Sequence, residues 1–410
     1  MLDVRSALDR VLAEVPLQPA EEVPLDEALG RVLGAEVRAA LDVPRWDNSA
    51  MDGYALRAAD TADGEVTLRL LELVGAGEVP TARVTPGTAI GIMTGAPVPE
   101  GCDTVVRVED TDASREGTVR VRGKAPAGRH IRRRGEDVAA GALLLEPGET
   151  LGFAHLGALA SQGRRAVEVR RRPRIALLST GDEVVLPGAP LGPGQLYSSN
   201  NATLAALVRE AGGAPIDLGN APDDLDAIVG RLREALDVAD AVCTTGGVSV
   251  GAYDHVKEAL SVVGVAVDFW KVRMKPGKPL AYGRSAAGVP VFGLPGNPVS
   301  CAVNFLEFVR PWIRHALGVP RPFLPVLDAV AGEELRIRPG RLNLVRVRLA
   351  WEQGHLVARS TGMQSSAVMT TLAAAHGFAL LEGQGVARGE GLRVQLLDPS
   401  FLDRADPGLP

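Results

Sequence analysis

Four glycine-rich segments of the sequence carry residue types suited to binding a charged ligand. Each follows a stretch of strand-forming apolar residues, and their glycines let backbone N–H groups approach a ligand closely because no side chain intervenes. A single segment of this kind is weak evidence, since ordinary tight turns explain most of them. Four such segments with lysines and carboxylates are stronger evidence, and they read TGDE from Thr180, TGGVSVG from Thr245, KVRMKPGK from Lys271 and LPGNPVS from Leu294.

The second and fourth of these segments open predicted helices. The free N–H groups and positive dipole end of a helix N-terminus suit a phosphate or another oxyanion, and two serines add hydroxyl donors. We therefore predict an anion-binding site whose lining includes Thr180, Gly181, Gly246, Gly247, Ser249, Gly251 and Ser300.

Lysine is rare in this chain, which makes its clustering in the third segment informative. Only five of the 44 basic residues are lysines, and three of them, Lys271, Lys275 and Lys278, fall within eight residues. Where arginine is the default, clustered lysines favour a site that needs the compact ammonium group itself. The alternative is a chance cluster on a solvated turn.

Several acidic residues are predicted to lie at the same edge of the sheet, namely Asp182, Glu183, Asp223 and Asp254. Carboxylates beside a bound phosphate can hold Mg²⁺, which takes one or two carboxylates together with phosphate oxygens and waters. Because Mg²⁺ would neutralise a phosphate leaving group, this set favours phosphoryl or nucleotidyl chemistry over proton abstraction from a neutral substrate. Taken singly, Asp223 could instead cap a helix, and Asp254 could be a solvated helix residue.

Alternating strands and helices between the arginine run Arg170–Arg174 and Pro320 must position these segments. The alternation predicts a parallel sheet covered on both faces, and ligands bind beyond the carboxyl ends of the strands in such sheets. The predicted strands are Ile175–Leu178, Ala239–Thr244, Val267–Val272 and Val289–Phe292. The predicted helices are Ala202–Ala211, Asp224–Leu236, Tyr253–Leu260 and Val299–Leu317.

The remainder of the chain follows other patterns. Residues 1–45 are predicted to be mostly helical, with a second apolar helical run from Leu25 to Val37. Residues 46–140 alternate strand-like pieces with Gly/Pro turns and predict a β-rich module. Residues 326–400 predict a small β-barrel or sandwich, because Leu344, Arg346 and Arg348 alternate with Val345, Val347 and Leu349.

The composition limits the possible classes of protein. Hydrophobic residues make up 46% and charged residues 23%, as in a globular protein. A net charge of −6 argues against a general nucleic-acid binder, and no apolar run approaches the ~18 residues that span a membrane. The start of the chain lacks the pattern of a signal peptide, and the spacing of its three cysteines and six histidines suggests neither disulfides nor a zinc site. We expect a cytoplasmic protein without nucleic-acid or membrane partners.

Seven runs of residues, in order along almost the whole chain, resemble the molybdopterin molybdenumtransferase family, known as MoeA in bacteria and as the E domain of gephyrin and plant Cnx proteins. No single run is decisive, but the ordered set is highly specific. The runs are DNSAMDGYAL from Asp47, MTGAPVPEGCDTVV from Met93, RRRGEDV from Arg132, STGDEV from Ser179, TTGGVSVGAYD from Thr244, KVRMKPGKP from Lys271 and LPGNPVS from Leu294.

The resemblance implies a multi-domain α/β plus β fold and an elongated homodimer of four-subdomain subunits. Residues 172–320 would form a molybdopterin-binding α/β subdomain, and residues 46–139 a β-rich inserted subdomain. The chain on either side of the insert, 1–45 and 140–171, would form a discontinuous connecting subdomain, and residues 321–410 a C-terminal β-barrel.

The resemblance also implies a reaction. Enzymes of this family bind adenylylated molybdopterin and molybdate, cleave the phosphoanhydride with Mg²⁺, release AMP and leave molybdenum on the dithiolene. Glu183 and Asp254 would hold Mg²⁺ or the nucleotide phosphate. The catalytic acids would be Asp223, Asp254, Asp52 and Asp137, the last two supplied by the insert to the partner subunit's cleft.

By the same resemblance, the oxyanion would be held by the lysine segment, the fourth glycine-rich segment and the C-terminal subdomain. Pro295 and Pro298 would shape the fourth segment. The binding residues would be Lys271, Lys275, Lys278, Ser300, Arg346 and Ser365. Further partners would be other cofactor-biosynthesis proteins and apo-molybdoenzymes.

Two alternatives remain open from the sequence. A molybdopterin adenylyltransferase would use the same kind of α/β subdomain but is normally a much smaller, single-domain chain, and it would consume ATP. A non-catalytic carrier or scaffold would bind the pterin without releasing AMP.

Overall fold

The computed structural model describes residues 1–115, 117–247 and 255–403. Its first helix, α1 (Val4–Leu12), begins at Asp3, whose side chain accepts a hydrogen bond from the Ser6 backbone N–H at 2.8 Å. The helix buries Ala7 and Val11 in the larger core of the α/β subdomain. The N-terminus is therefore attached to the sheet that carries the candidate site.

The predicted second helical run from Leu25 to Val37 is wrong. The chain there forms a strand at Ala20–Pro24, a single 3₁₀ turn at Leu25–Glu27 and a short strand at Val37–Arg38. Gly30 has φ 73°, which lies outside the right-handed helical region. Val32 bridges to Thr150 and Leu33 to Val169, and these pairings with distant chain outweigh the local helical pattern.

Chain from both sides of the insert builds one small core, which is the connecting subdomain of this structure. It contains α2 (Phe153–Ser161) and packs Val23, Leu33, Leu145, Leu159 and Val169 together. Its strands are Ala20–Pro24, Val37–Arg38, Leu143–Leu145 and Ala166–Arg170.

The insert is β-rich, as predicted. Two short strands, Asn48–Ser49 and Ile131–Arg132, pair at its base and bring its two ends together. Its main sheet has six strands, in the spatial order Thr104–Arg107, Gly53–Leu56, Thr88–Ile92, Val66–Val74, Thr118–Val121 and Thr111–Arg115. Separate apolar clusters, one with Ile90 and one with Leu68, stabilise this subdomain.

The α/β subdomain contains a six-stranded sheet that is mixed rather than wholly parallel. Its spatial order is Ala214–Ala221, Arg174–Thr180, Ala241–Thr245, Pro290–Leu294, Pro279–Arg284 and Ala266–Lys271. The first four strands are parallel to one another. Pro279–Arg284 is antiparallel to both of its neighbours, so it runs opposite to the other five strands. The strand Pro279–Arg284 was not predicted, and its connections on both sides are too short for a parallel crossover.

Helices cover both faces of this sheet. Ile175 and Leu177 pack towards one face and Ala176 and Leu178 towards the other, as the period of two in a buried strand requires. The helices before the long C-terminal one are α3 (Ser199–Glu210), α4 (Leu225–Val238) and α5 (His255–Val262).

The predicted long helix Val299–Leu317 is present but is not uniformly α-helical. It consists of α6 (Pro298–Asn304), a π-helical turn at Phe305–Val309 and α7 (Arg310–Ala316). Pro311 has no N–H to continue the α-helical hydrogen bonding, which is a common cause of such a local change. No helix in the described part of the chain is both long enough and apolar enough to cross a membrane.

The C-terminal subdomain is a closed five-stranded barrel with a short helix, α8 (Met369–Ala373). The strand Leu342–Glu352 points Val345, Val347 and Leu349 into the barrel core, which confirms the predicted alternation. The two-residue strand Met274–Lys275 pairs with the start of the same strand and so joins the lysine segment to the barrel. The barrel strands are Val326–Ala331, Leu342–Glu352, His355–Ser360, Gly377–Leu381 and Gly391–Leu396.

Candidate active site: a polar cleft at the carboxyl edge of the sheet

A cleft of about 630 Å³ lies where the parallel strands of the α/β subdomain end. Three of the four predicted segments meet in its wall. They contribute Thr180 and Glu183 from the first segment, Gly246 and Gly247 from the second, and Pro295 and Pro298 from the fourth. The structure thus brings these predicted residues to one site.

The glycines of the second segment allow a close approach that a side chain would prevent. Gly246 has φ 92° and Gly247 has φ 60°, in the left-handed region. A Cβ on Gly246 would lie 2.9 Å from Thr180 Oγ1, and one on Gly247 would lie 2.3 Å from a methyl carbon of Val256. The Thr180 hydroxyl is therefore packed directly against this backbone.

Several buried polar atoms in the cleft wall have no hydrogen-bond partner within the described residues. They are Thr180 Oγ1, Ser198 Oγ and Asn200 Oδ1, and Thr180 and Ser198 are only 5% and 4% exposed. Leaving such an atom unpaired costs about 1–3 kcal/mol, so a wall that carries several is suited to a polar ligand. Ser198 and Asn200 were not predicted as site residues.

A sequence signal for these two residues does exist. The run Ser198-Ser199-Asn200-Asn201 precedes an apolar helical pattern, and these residue types are preferred at the start of a helix. The prediction began the helix at Ala202, whereas α3 begins at Ser199. The late start left the polar run in an unassigned loop.

The acidic residues of the first segment lie close to Asp223. The backbone N–H of Asp223 donates to Asp182 Oδ1 at 3.1 Å. Burial, followed by the negative charges of Asp182 and Glu183, raises the pKa of the Asp223 carboxyl. The alternative that Asp223 caps a helix is wrong, because the cap of α4 is Asp224, whose side chain accepts from the Ala227 N–H at 2.9 Å.

This crowding of carboxylates is the feature that would fit a cation. In residues 1–115, 117–247 and 255–403, no group of three or more His, Cys, Asp or Glu side chains is arranged to hold a metal. Mg²⁺ commonly needs only one or two carboxylates when phosphate oxygens complete its shell, so Glu183 in the cleft wall remains a suitable ligand. Ser249, Gly251 and Asp254 lie outside the described residues.

None of the three lysines is among the described residues that line the cleft. Lys275 instead lines a second cavity, of about 480 Å³, with barrel residues that include Ser360 and Gln364. The Asn304 side chain of α6 holds the segment by donating to the Pro279 carbonyl at 2.8 Å, and Pro279 itself lines the cleft. Lys271 is at the end of an edge strand, and neither its side chain nor that of Lys278 lines the described cleft.

Arg346 is a buried charged side chain with hydrogen-bond donors to spare. It is fully buried, and its Nη2 donates to the carbonyls of Met363 at 2.9 Å and Ser365 at 3.1 Å. Its Nε and Nη1 have no acceptor among the described residues. Burial lowers the pKa of the Arg346 guanidinium, and a bound anion would compensate for that desolvation.

A barrel loop connects Arg346 to the cleft. The Val299 N–H, in the first turn of α6, donates to the carbonyl of Ser366 at 3.0 Å, and Ala367 lines the cleft. Ser365 and the buried Ser300 therefore lie on facing segments. The structure brings the two C-terminal candidates, Arg346 and Ser365, next to the fourth glycine-rich segment.

The two insert acids are not brought to the cleft by any contact in the described part of this chain. Asp52 accepts hydrogen bonds from the N–H and hydroxyl of Thr94, both at 2.7 Å, and the backbone hydrogen bond is the larger of the two effects that lower its pKa. The Asp137 N–H donates to the Val43 carbonyl at 2.9 Å, at the base of the insert. The role of Asp52 and Asp137 in the cleft of a partner subunit stays a prediction.

Family models match the chain in three consecutive blocks. Residues 176–315 match the model described as "Probable molybdopterin binding domain", which covers the α/β subdomain and its cleft. Residues 2–163 match "MoeA N-terminal region (domain I and II)", and residues 328–397 match "MoeA C-terminal region (domain IV)". The fold and site thus define a protein of the molybdopterin-binding class.

Relatives of known identity match over nearly the whole length. Molybdopterin molybdenumtransferase 2 of Mycobacterium tuberculosis is 42% identical over 386 residues, which cover 92% of this chain and 94% of the relative. The molybdopterin molybdenumtransferase of Bacillus subtilis is 34% identical, covering 97% and 94%. A crystal structure of the molybdopterin biosynthesis moea protein from Pyrococcus horikosii superposes with a TM-score of 0.82 at 32% identity, covering 97% and 99%.

The chain belongs to the MoeA family of molybdopterin molybdenumtransferases. It is therefore a transferase of molybdenum cofactor biosynthesis, as the ordered motifs predicted.

Proposed function

We propose that this enzyme transfers molybdenum from molybdate to adenylylated molybdopterin with the help of Mg²⁺ and releases AMP. The observation that carries the proposal is the buried Arg346, which has two unpartnered nitrogens and is bonded to the Ser365 carbonyl of the loop beside the cleft. A guanidinium with free donors suits a tetrahedral oxyanion such as molybdate. The polar cleft supplies room for the pterin and its nucleotide.

The described residues would have different tasks in this reaction. Thr180 and the loop at Gly246 and Gly247 form the wall against which the adenylylated pterin binds. Glu183, whose charge acts on the nearby Asp223, would hold Mg²⁺, which when bound neutralises the phosphate that leaves as AMP. Arg346 would orient molybdate, since it is fixed by two carbonyl contacts and cannot rotate freely.

Asp223 has a further role in this proposal. Because its pKa is raised, it is poised to accept a proton from a nearby water or hydroxyl more readily than an ordinary surface carboxylate. Asp254 remains a candidate from its motif position. Lys275, in the second cavity with Gln364, would contribute positive charge for the oxyanion.

We also propose that the enzyme works as a homodimer in the cytoplasm, with Asp52 and Asp137 facing the cleft of the partner subunit. The ionised state of Asp52, favoured by its Thr94 hydrogen bonds, supports a role near a cation or a hydrogen-bond donor. The free thiol state of all three cysteines supports a reducing compartment. Other cofactor-biosynthesis proteins and apo-molybdoenzymes would exchange substrate and product with it.

The test is AMP release from adenylylated molybdopterin, measured with and without Mg²⁺ and with and without molybdate. Release that needs both would support the transferase reaction. Tight pterin binding without AMP under any condition would reject it in favour of a carrier, and ATP consumption with free molybdopterin would point to an adenylyltransferase.

A further inference from the structure

The helix α3 begins at the cleft without the side-chain cap that the described starts of α1 and α4 possess. Asp3 and Asp224 each accept a backbone N–H of their own helix, at 2.8 and 2.9 Å. Ser198 occupies the equivalent position of α3, yet its side chain makes no capping hydrogen bond. A serine is a preferred capping residue, so its hydroxyl is free for another use.

The Ser198 hydroxyl is buried in the cleft wall. The residue is 4% exposed, lines the cleft, and its Oγ has no partner within the described ranges. The first-turn N–H groups of a helix have no acceptor inside the helix, and here the cap residue does not supply one. Donor groups therefore converge on this end of the cleft.

Contacts on three sides fix the start of α3 in place. The Ser198 N–H donates to the Val185 carbonyl at 2.8 Å, and the Asn200 side-chain N–H donates to the Gly296 carbonyl at 2.9 Å. Ser179 Oγ donates to Asn201 Oδ1 at 2.6 Å, deep in the sheet. These bonds hold the uncapped helix end rigidly, as a preorganised binding site requires.

The charges along the cleft decide what the helix end would bind. Glu183 lines the same cleft, and with Asp182 and Asp223 it adds negative charge that is suited to a cation. The α3 end offers N–H groups, a serine hydroxyl and the positive end of a 12-residue helix. A group with negative charge and several acceptor oxygens matches this end.

We propose that the N-terminus of α3, with Ser198, is the subsite that binds the diphosphate of the adenylylated substrate. This inference rests on the proposed function and assigns one part of it. The diphosphate would lie between the helix dipole and a cation at Glu183. Asn200 Oδ1, whose orientation is fixed by the bond to Gly296, would accept a hydrogen bond from a hydroxyl or amino group of the same ligand.

The first test is Ser198→Ala in the full-length protein, with AMP and inorganic pyrophosphate as calorimetric probes in the presence of Mg²⁺. Loss of one hydrogen bond to a charged group should weaken binding of both probes about tenfold. Melting temperature should not fall, because the hydroxyl makes no capping bond. Asp3→Ala is the matched control, because it removes a true cap from α1. Its Tm should fall by about 2 °C, and its affinity for both probes should not change.

The second test uses Ser199→Asp at the exposed first position of α3. A carboxylate there favours the helix through its dipole but repels a phosphate, so Tm should hold or rise while both probes bind at least about tenfold more weakly. A residue with only a structural role would not move these two readouts in opposite directions.

The outcomes separate this inference from the proposed function. Unchanged affinity for both probes in both variants would overturn the subsite, even if the wild type releases AMP with molybdate. A loss for AMP but not for pyrophosphate would also overturn it, because the contact would then be to the nucleoside. Wild-type protein that binds neither probe would overturn the subsite. Binding of both probes that depends on Ser198, without any AMP release from the substrate, would support the subsite and reject the proposed reaction.

Discussion

Arg346→Met tests whether the buried guanidinium binds an oxyanion or only holds the barrel loop. The wild-type side chain makes two hydrogen bonds, to Met363 and Ser365, and leaves two N–H-bearing nitrogens without acceptors in the described structure. Losing two charge-assisted bonds costs about 3–6 kcal/mol, whereas removing two buried unpaired donors regains about 2–6 kcal/mol. The midpoints of these ranges, about 4.5 and about 4 kcal/mol, nearly cancel, and methionine retains much of the apolar packing, so we expect the free energy of unfolding to change by less than about 2 kcal/mol.

The expected effect on molybdate is much larger. If Nε and Nη1 each donate to the oxyanion, the substitution removes about 3–6 kcal/mol of binding. At 1.4 kcal/mol for each factor of ten, this corresponds to an affinity about 100 to 10,000 times weaker. Stability and molybdate use should therefore respond very differently to the same change.

The assay is AMP release as a function of molybdate concentration, with a thermal melt in parallel. Molybdate should raise the Tm of the wild type, because a ligand that binds the folded state stabilises it, and it should not do so for Arg346→Met. Arg348→Met is the matched control, since Arg348 lies two positions along the same strand but is exposed, with its Nε donating to the Ala374 carbonyl. A folded Arg346→Met protein with wild-type molybdate dependence would refute the oxyanion role.

Three further perturbations test other parts of the site. Asp223→Asn should raise Tm at pH 7, because the raised pKa of this carboxyl makes its ionisation unfavourable in the folded state. The gain in Tm should shrink as pH falls towards 3.8, and a gain that does not depend on pH would contradict this reasoning. Gly247→Ala should lower the free energy of unfolding by about 1–3 kcal/mol and reduce activity, because the new Cβ would overlap the Val256 side chain. Adding Val256→Ala to this variant should restore part of the lost stability, measured in a denaturant melt. Lys275→Ala should raise the molybdate concentration needed for half-maximal AMP release and leave the pterin affinity, measured by fluorescence, unchanged. If the apparent affinities for molybdate and for pterin fall equally, this lysine has no specific role towards molybdate.

The alternation of residues along the strands and the positions of the glycine-rich segments predicted the edge of the sheet at which the site lies. Both signals follow from local requirements of the backbone. Thr180 ends one of three adjacent parallel strands, and Gly246 and Pro295 directly follow the other two, so their positions in sequence determine that they meet at one edge. The alternation along Leu342–Glu352 likewise predicted which residues enter the barrel core. It could not show that Arg346, on the other face, lies beside Ser365.

Features that depend on tertiary pairing were not accessible to this reasoning. The run from Leu25 to Val37 has helical spacing, yet bridges from Val32 to Thr150 and from Leu33 to Val169, far along the chain, determine its structure. The strand Pro279–Arg284 begins with a proline, which is a poor strand signal. The start of α3 was placed three residues late, and helix ends are the least certain part of any assignment from pattern.

The insert also influences the order in which the chain folds. Its main sheet, from Gly53–Leu56 to Thr118–Val121, is built from one contiguous stretch and can form as soon as that stretch has been synthesised. The connecting subdomain must pair Val23 with Val167 across the whole insert, and contacts so distant in sequence close slowly in an unfolded chain. A folded insert shortens this closure, because Asn48–Ser49 already lies against Ile131–Arg132 and the two flanks emerge side by side. Mutations that weaken the insert should thus delay folding of a subdomain that they do not touch.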